Sequence, residues 1–369
     1  MHRSMLSLLA VAVAASPEIH VIDISRIVAG RGSAEDLDLL RESCLSPGFF
    51  HITHHGIPEQ VTRDFDDVMR SFFALPQPEK DALRRTRDNA YGYADDELTK
   101  TTRDCKEVFD YGHMPAGRGV AADDAANCVL DGHNQLPSSL PGFHAAIGAY
   151  YDACSTVAGA LLRAVAASLG LADGTFDDAF GAEHTSFLRM NRYPLVAGEG
   201  RTRFDDNTVN LDQLGPAAAN ATLGVNRHTD AGGFTLLRQD DAVSSLQVNV
   251  NFHDAASPPQ WIDVSPVPGA LTVNVGDMLQ VLSNGRYKAP EHRVLASAIR
   301  ERYSAPFFYN PSFKAIIAPR PPLESCASYG PPFTWHHFRS NRFLGDFENT
   351  GKPDIQIEDY RLAACGNEL

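Results

Sequence analysis

Arg227-His228-Thr229-Asp230-Ala231-Gly232-Gly233, followed after a long gap by Glu291-His292-Arg293-Val294 and then by Arg302-Tyr303-Ser304, is the part of the chain around which the rest can be placed. Side chains two residues apart on a β-strand leave from one face, because the pleat repeats every two residues. His228 and Asp230 can therefore chelate one ion together. His292, at the entry of a short strand after the Gly285-Arg286-Tyr287 turn region, is the candidate third ligand. Two neutral imidazoles and one carboxylate occupy one face of an octahedron and leave three positions open, a ligand set suited to ferrous iron. His-x-Asp by itself recurs by chance in a chain with 14 histidines. What gives it weight is the downstream Arg302-x-Ser304, where the same two-residue relation aims a guanidinium and a hydroxyl at one carboxylate.

Outward from this stretch, the second half of the chain is built of short β-type runs at 187–191, 234–237, 246–250, 261–264, 271–275, 278–282 and 303–309, punctuated by Gly, Pro, Asn and Asp. Many short strands at near-regular spacing imply an antiparallel sandwich or barrel. Gly276-Asp277 reads as a hairpin turn, and Arg293 as a structural ion-pair partner on the far face from His292. The glycines of Ala231-Gly232-Gly233 either relax a turn or leave room beside the metal.

The first half reads differently. A strand is expected over 19–24, and Ser33-x-x-Asp36 is a capping box opening a helix through Cys44 with Leu37, Leu40 and Cys44 on its buried face. A strand and turn follow over 48–57. A helix after Pro58 carries Val61, Phe65, Val68, Met69, Phe72 and Phe73 at helical spacing and closes at Pro76 and Pro78. His51, His54 and His55 fall in the strand-turn stretch and read as structural. The polar stretch from Arg84 to Asp110 is either a solvated surface loop or, by the resemblance described below, a segment over the pocket mouth. Residues 117–140 read as loop, and a long helix follows with Phe143, Ile147, Tyr150, Cys154, Val157, Leu161 and Val165 as its apolar stripe.

With 369 residues and 43% of them hydrophobic, the chain can bury a sizeable core. Thirty-two basic against forty-six acidic residues give a net charge of −14, which argues against a nucleic acid or an anionic membrane and for a small-molecule substrate; a monomer is expected. The six cysteines, with no C-x-x-C pair, read as free thiols of a cytoplasmic protein. Residues 1–16 are an apolar leader, too short to span a bilayer, and would make the protein secreted or organellar if they are a targeting segment. Asn220-Ala221-Thr222 would be a glycosylation site only in that case.

Taken in order, Gly48-Phe49-Phe50-His51-Ile52-Thr53-His54-His55-Gly56-Ile57, Asn191-Arg192-Tyr193-Pro194, His228-Thr229-Asp230, Asn274-Val275-Gly276-Asp277, Ser283-Asn284-Gly285-x-Tyr287 and His292-Arg293-Val294 resemble the iron(II)/2-oxoglutarate-dependent dioxygenase superfamily. The likeness is to the branch containing isopenicillin N synthase and the plant flavonoid and hormone oxygenases, and it covers nearly the whole chain. It implies an α+β fold with a double-stranded β-helix, or jelly roll, and flanking helices that are mainly N-terminal. The divisions expected are a leader at 1–16, an N-terminal region at 17–140, a connecting helix at 141–184, the jelly-roll core at 185–318 and a C-terminal extension at 319–369. It implies Fe(II) on His228, Asp230 and His292, dioxygen and 2-oxoglutarate as co-substrates, and ascorbate as a further accessory. Arg302, Ser304 and Tyr193, with Asn191 in a weaker role, match the positions that bind the oxo acid's distal carboxylate. The implied reaction hydroxylates, desaturates or cyclises a small metabolite with release of succinate and CO2. An iron oxidase of the same fold that does without 2-oxoglutarate and a jelly-roll binding protein without catalysis are the alternatives. The thirty-three residues between Pro194 and His228 are longer than is usual in similar enzymes and border the pocket mouth by analogy.

Overall fold

The computed structural model describes residues 18–86, 89–99, 102–112, 132–195, 223–241, 243–254, 256–297, 300–347 and 355–362. The leader, the sequon, most of the 117–140 loop and the long segment before His228 lie outside the described residues. In chain order the strands are His20–Asp23 (β1), Phe49–Thr53 (β2), Gly92–Ala94 (β3), Leu98–Thr99 (β4), Thr102–Arg103 (β5), Glu107–Gly112 (β6), Phe187–Tyr193 (β7), Leu223–His228 (β8), Phe234–Gln239 (β9), Leu246–Asn249 (β10), Trp261–Asp263 (β11), Leu271–Val275 (β12), His292–Leu295 (β13), Arg302–Tyr309 (β14), Ile316–Ile317 (β15) and Phe333–Thr334 (β16). The α-helices are Ser25–Val28 (α1), Ala34–Leu45 (α2), Glu59–Phe73 (α3), Gln77–Asp81 (α4), Phe143–Ser168 (α5), Asp177–Phe180 (α6), Asp277–Leu282 (α7) and Trp335–Phe347 (α8).

Two sheets make the jelly roll. The larger runs β1-β2-β12-β9-β14-β7-β6-β3 and the smaller β11-β10-β13-β8. Strands from the N-terminal region and from the core thus share one sheet, with β2 paired antiparallel to β12 and β6 to β7. The larger sheet buries its outer face under α2, α3 and α5. The α5 stripe supplies Ile147, Tyr150, Cys154, Val157 and Leu161, all buried, and Tyr150 stacks on Phe65 of α3 at 4.1 Å. Ser33 caps α2 with the reciprocal Asp36 bond that the capping-box pattern predicts. Between the two sheets a second, smaller cluster of Phe49, Tyr193, Val225, Leu237, Leu246, Val248, Val264 and Val294 fills the jelly-roll interior.

Several expectations need correcting. Met278 to Leu282 form helix α7, not a strand, and Gly276 is the helix N-cap, not part of a hairpin turn. Every residue of α7 is buried, so its side chains show no periodicity to tell a short buried helix from a strand. Pro76 does not merely close the preceding helix but opens α4. Arg293 donates to Gln247 Oε1 at 2.9 Å and lies 4.1 Å from the centre of the Trp261 ring, so an amide and an aromatic face join Glu291 around its guanidinium. Cys44, Cys105 and Cys154 are free thiols as expected, but Cys326 is disulfide-bonded, which weakens the argument from cysteines for a reducing compartment.

Candidate active site

His228 and His292 stand directly opposite each other on β8 and β13, and their rings lie 4.3 Å apart. Asp230 comes two residues after His228, past the end of the strand, so the alternation of a pleat does not aim it. A turn does, and α7 holds that turn. The first N–H groups of a helix lack partners inside it; here Asp277 N–H donates to Asp230 O at 2.8 Å and Met278 N–H to Gly232 O at 2.9 Å. A Cβ on Gly276 would lie 2.3 Å from Gly232 O, and one on Gly232 would lie 2.2 Å from Asn310 Oδ1. The glycines therefore serve close packing of the turn against α7 and the end of β14, a role that neither reading of Gly232 had named.

Each imidazole is fixed by its second nitrogen. A carbonyl can only accept, so Nδ1 of His228, 2.8 Å from Asn226 O, and Nδ1 of His292, 3.1 Å from Pro290 O, carry the protons. The Nε2 lone pairs are left to converge, and both Nε2 atoms lie 3.6 Å from Asp230 Oδ1. Asp230 Oδ2 accepts from Thr235 Oγ1 at 2.6 Å and Asn274 Nδ2 at 2.7 Å, which turns Oδ1 toward the imidazoles. Burial pushes the Asp230 carboxyl up, but the two imidazoles and Asn274 outweigh it and hold the group well below the usual carboxylate range. Three ligand atoms within 4.8 Å of one another, two neutral nitrogens and one carboxylate oxygen, suit a six-coordinate ferrous ion.

Arg302 and Ser304 project from β14 into the same cavity as the triad, as their two-residue spacing predicts. They pair in register with Tyr193 and Asn191 of β7, so all four expected residues meet. Arg302 is 1% exposed, and its Nη2 donates to Gln239 Oε1 at 3.2 Å. Its Nε and Nη1 have no hydrogen-bond partner among the described residues. The Tyr193 ring lies 4.9 Å from the guanidinium, and Asn191 Nδ2 donates to Ser304 Oγ at 3.4 Å. Glu301, the obvious acid for Arg302 to pair with, binds Arg192 instead. Buried guanidinium donors without an acceptor are rare and costly, and a carboxylate would satisfy them.

The other side of the triad opens into a second cavity that the sequence alone does not disclose. Its wall carries Glu97 and Lys106 of the N-terminal region, Arg189 of β7, and Trp335, Arg339 and Arg342 of α8. Glu97 meets Lys106 at 2.8 Å, Arg189 at 2.7 Å and Arg85 at 3.1 Å, and Asp110 takes both Arg189 and Arg85. Among the described residues of the stretch from Arg84 to Asp110, Arg85, Glu97, Asp104, Lys106 and Asp110 are thus buried in an ion network beside the pocket, so these charges are not a solvated surface loop. Burial raises the Glu97 carboxyl, but Arg189, Lys106 and Arg85 together hold it well below its ordinary value. Thr235 and Asn274, which orient Asp230, carry no signal of that role in the sequence, although Asn274 stands in one of the matched motifs.

Known proteins show the same arrangement of segments. The profile of the 2OG-Fe(II) oxygenase superfamily matches residues 185–311, and that of the N-terminal part of the non-haem dioxygenases in morphine synthesis matches residues 19–139. Homoarginine-6-hydroxylase 2-ODD-C23 of Glycine max is 30% identical over 309 residues, covering 82% of this chain and 86% of that protein. The crystal structure of JOX2 in complex with 2OG, Fe and JA superposes with a TM-score of 0.71 at 26% identity, covering 94% of this chain and 89% of that one. The dioxygenase for auxin oxidation in rice has the same fold, with a TM-score of 0.65 at 26% identity over 94% of this chain and 100% of that one. With a jelly roll, a two-histidine, one-carboxylate cluster and relatives of matching length, the chain belongs to the 2OG-Fe(II) oxygenase superfamily and is a 2-oxoglutarate-dependent dioxygenase.

Proposed function

We propose that His228, Asp230 and His292 hold the iron, and that Arg302 and Ser304 bind the distal carboxylate of 2-oxoglutarate with Asn191 and Tyr193 behind them. The second substrate, a small molecule, then enters from the cavity lined by Arg189 and α8. Iron(II), 2-oxoglutarate and O2 together supply the oxidation: the oxo acid leaves as succinate and CO2 with one oxygen atom, and the other oxidises a C–H bond of the second substrate. The chain's own residues orient and enclose. Asn226 O and Pro290 O keep the imidazole tautomers fixed, Thr235 and Asn274 keep Asp230 turned, and the aliphatic wall of Val225, Leu237, Leu246 and Val294 excludes water beside the clamp. No side chain is required as a general base.

The net charge of −14 supports a small molecule over a polyanion as the substrate. Among the described residues no helix is long and apolar enough to cross a membrane.

The observation that carries the assignment of the oxo-acid site is the pair of unsatisfied donors on buried Arg302. Replacing Arg302 by Ala removes the partner of a buried carboxylate, a loss of about 3–5 kcal/mol, and the apparent affinity for 2-oxoglutarate should fall by roughly a hundredfold or more. Saturation by 2-oxoglutarate and the melting temperature are measured side by side. A lowered melting temperature with an unshifted saturation curve would show that Arg302 is structural.

A further inference from the structure

Gln239, the last residue of β9, is buried, and its Oε1 accepts from Nη2 of Arg302 at 3.2 Å. Its Nε2 donates to Thr272 Oγ1 at 2.9 Å and to Val264 O at 3.3 Å. The amide has no choice of orientation. A guanidinium only donates and a carbonyl only accepts, so turning the amide over would set donor against donor at Arg302 and acceptor against acceptor at Val264. Thr272 Oγ1 lies in turn 3.1 Å from Nδ1 of the buried His51, so the polar chain crosses β2, β12, β9 and β14, four neighbouring strands of the larger sheet. The same two central strands orient a metal ligand: Thr235 of β9 and Asn274 of β12 are partners in register, and both donate to Asp230. Gln239 stands four residues from Thr235 and Thr272 two from Asn274, even spacings that keep all four side chains on one face of the sheet. One pair thus serves Asp230 and the next pair serves Arg302. The acceptor given to Arg302 is uncharged, so it holds one edge of the guanidinium without cancelling its charge, while Nε and Nη1 have no hydrogen-bond partner among the described residues.

We propose that Gln239 is a positioning residue of the oxo-acid site: it fixes the plane of the Arg302 guanidinium and, being neutral, reserves that charge for the distal carboxylate of 2-oxoglutarate. The proposal rests on the reading of Arg302 as the clamp given above. A fork of donors binds a carboxylate on two atoms only when its plane is set, which is what the amide supplies. A carboxylate in place of the amide would answer the guanidinium from within the protein and repel the co-substrate.

The test uses the full chain loaded with Mn(II) and titrated in a calorimeter with 2-oxoglutarate and with 2-oxopentanoate, which keeps the chelating end and lacks the distal carboxylate. The ratio of the two affinities reads the clamp apart from the metal. Gln239→Glu, nearly identical in shape, should shrink that ratio at least roughly tenfold, about 1.4 kcal/mol, with 2-oxopentanoate binding unchanged. Gln239→Met should shrink it less, by roughly threefold to tenfold, because an acceptor is lost and no charge is added. A glutamine that only supports the fold would instead weaken both ligands alike and lower the melting temperature, so melting temperatures accompany each variant. Equal weakening of the two ligands, or a ratio untouched in Gln239→Glu, would overturn the proposal; if that variant does not fold, an untouched ratio in Gln239→Met does so. Arg302→Ala in the same series separates the two readings. A ratio that survives there sinks the clamp itself, whereas a ratio lost there and kept in Gln239→Glu sinks only the role of Gln239.

Discussion

The two sides of the triad are built by opposite means. On the inner side the paired polar groups come from adjacent strands in register: His228 faces His292, Arg302 faces Tyr193 and Ser304 faces Asn191. On the outer side the wall is assembled from segments far apart in sequence, with Glu97 and Lys106, Arg189, and the α8 residues converging only in three dimensions. Strand register repeats a geometry for any sequence that keeps its spacing, which suits a metal and a co-substrate that do not change. A wall of converging loops and a helix can be altered piece by piece, and that suits selection among second substrates.

This contrast can be broken at several points. The largest effect is expected for Asp230→Ala, which removes the one negative charge among the three proposed ligands: iron binding and turnover should both be lost in a protein that still melts cooperatively. Wild-type activity under limiting iron would contradict the metal site. Next comes Glu97→Gln on the outer side, which leaves Arg85, Lys106 and Arg189 buried with less negative charge among them. Breaking such a network should cost about 3–5 kcal/mol, read from denaturant unfolding. Because the Glu97 carboxyl is depressed in the folded state, its contribution is present above the ordinary glutamate pKa and is lost as pH falls below it. The difference between wild type and Glu97→Gln should therefore shrink in acid; a difference independent of pH would show that charge is not what Glu97 supplies.

Smaller effects should mark the inner side's supporting bonds. Asn274→Ala removes one of two donors to Asp230 Oδ2 and should weaken iron binding by about 10–100-fold with little change in 2-oxoglutarate affinity once iron is saturating. An unchanged iron titration would mean that Thr235 alone orients the carboxylate. Ser304→Ala removes a single hydroxyl and should cost about 1–2 kcal/mol of 2-oxoglutarate affinity, well short of the Arg302 effect. Equal losses in the two variants would undo the assignment of Arg302 as the main anchor.

The same contrast explains what can be read in the sequence. His228-x-Asp230 and Arg302-x-Ser304 are legible because two-residue spacing survives as shared direction, although only β14 realises it as a pleat; at Asp230 a turn docked on α7 reaches the same end. The helix itself is not legible, since 278–282 is buried on every side and carries no period. Asn274 and Thr235 gain their roles only in the fold, because nothing local ties them to Asp230. Trp335, Arg339 and Arg342 show a one-face spacing in the sequence, but what that face meets depends on where the C-terminal extension lies. The buried status of the charges between Arg84 and Asp110 is hidden for a related reason: a polar stretch looks solvated until its counter-ions, Arg189 above all, are placed opposite it.

Anaerobic titration of the metal-free protein with Fe(II) and then 2-oxoglutarate tests the central claim most directly, namely that the inner side is built for an iron bound to an oxo acid. The account predicts a visible metal-to-ligand charge-transfer band that grows to one equivalent of each, is absent in Asp230→Ala, and needs far more 2-oxoglutarate in Arg302→Ala. Iron binding with no such band at any concentration of 2-oxoglutarate would contradict it.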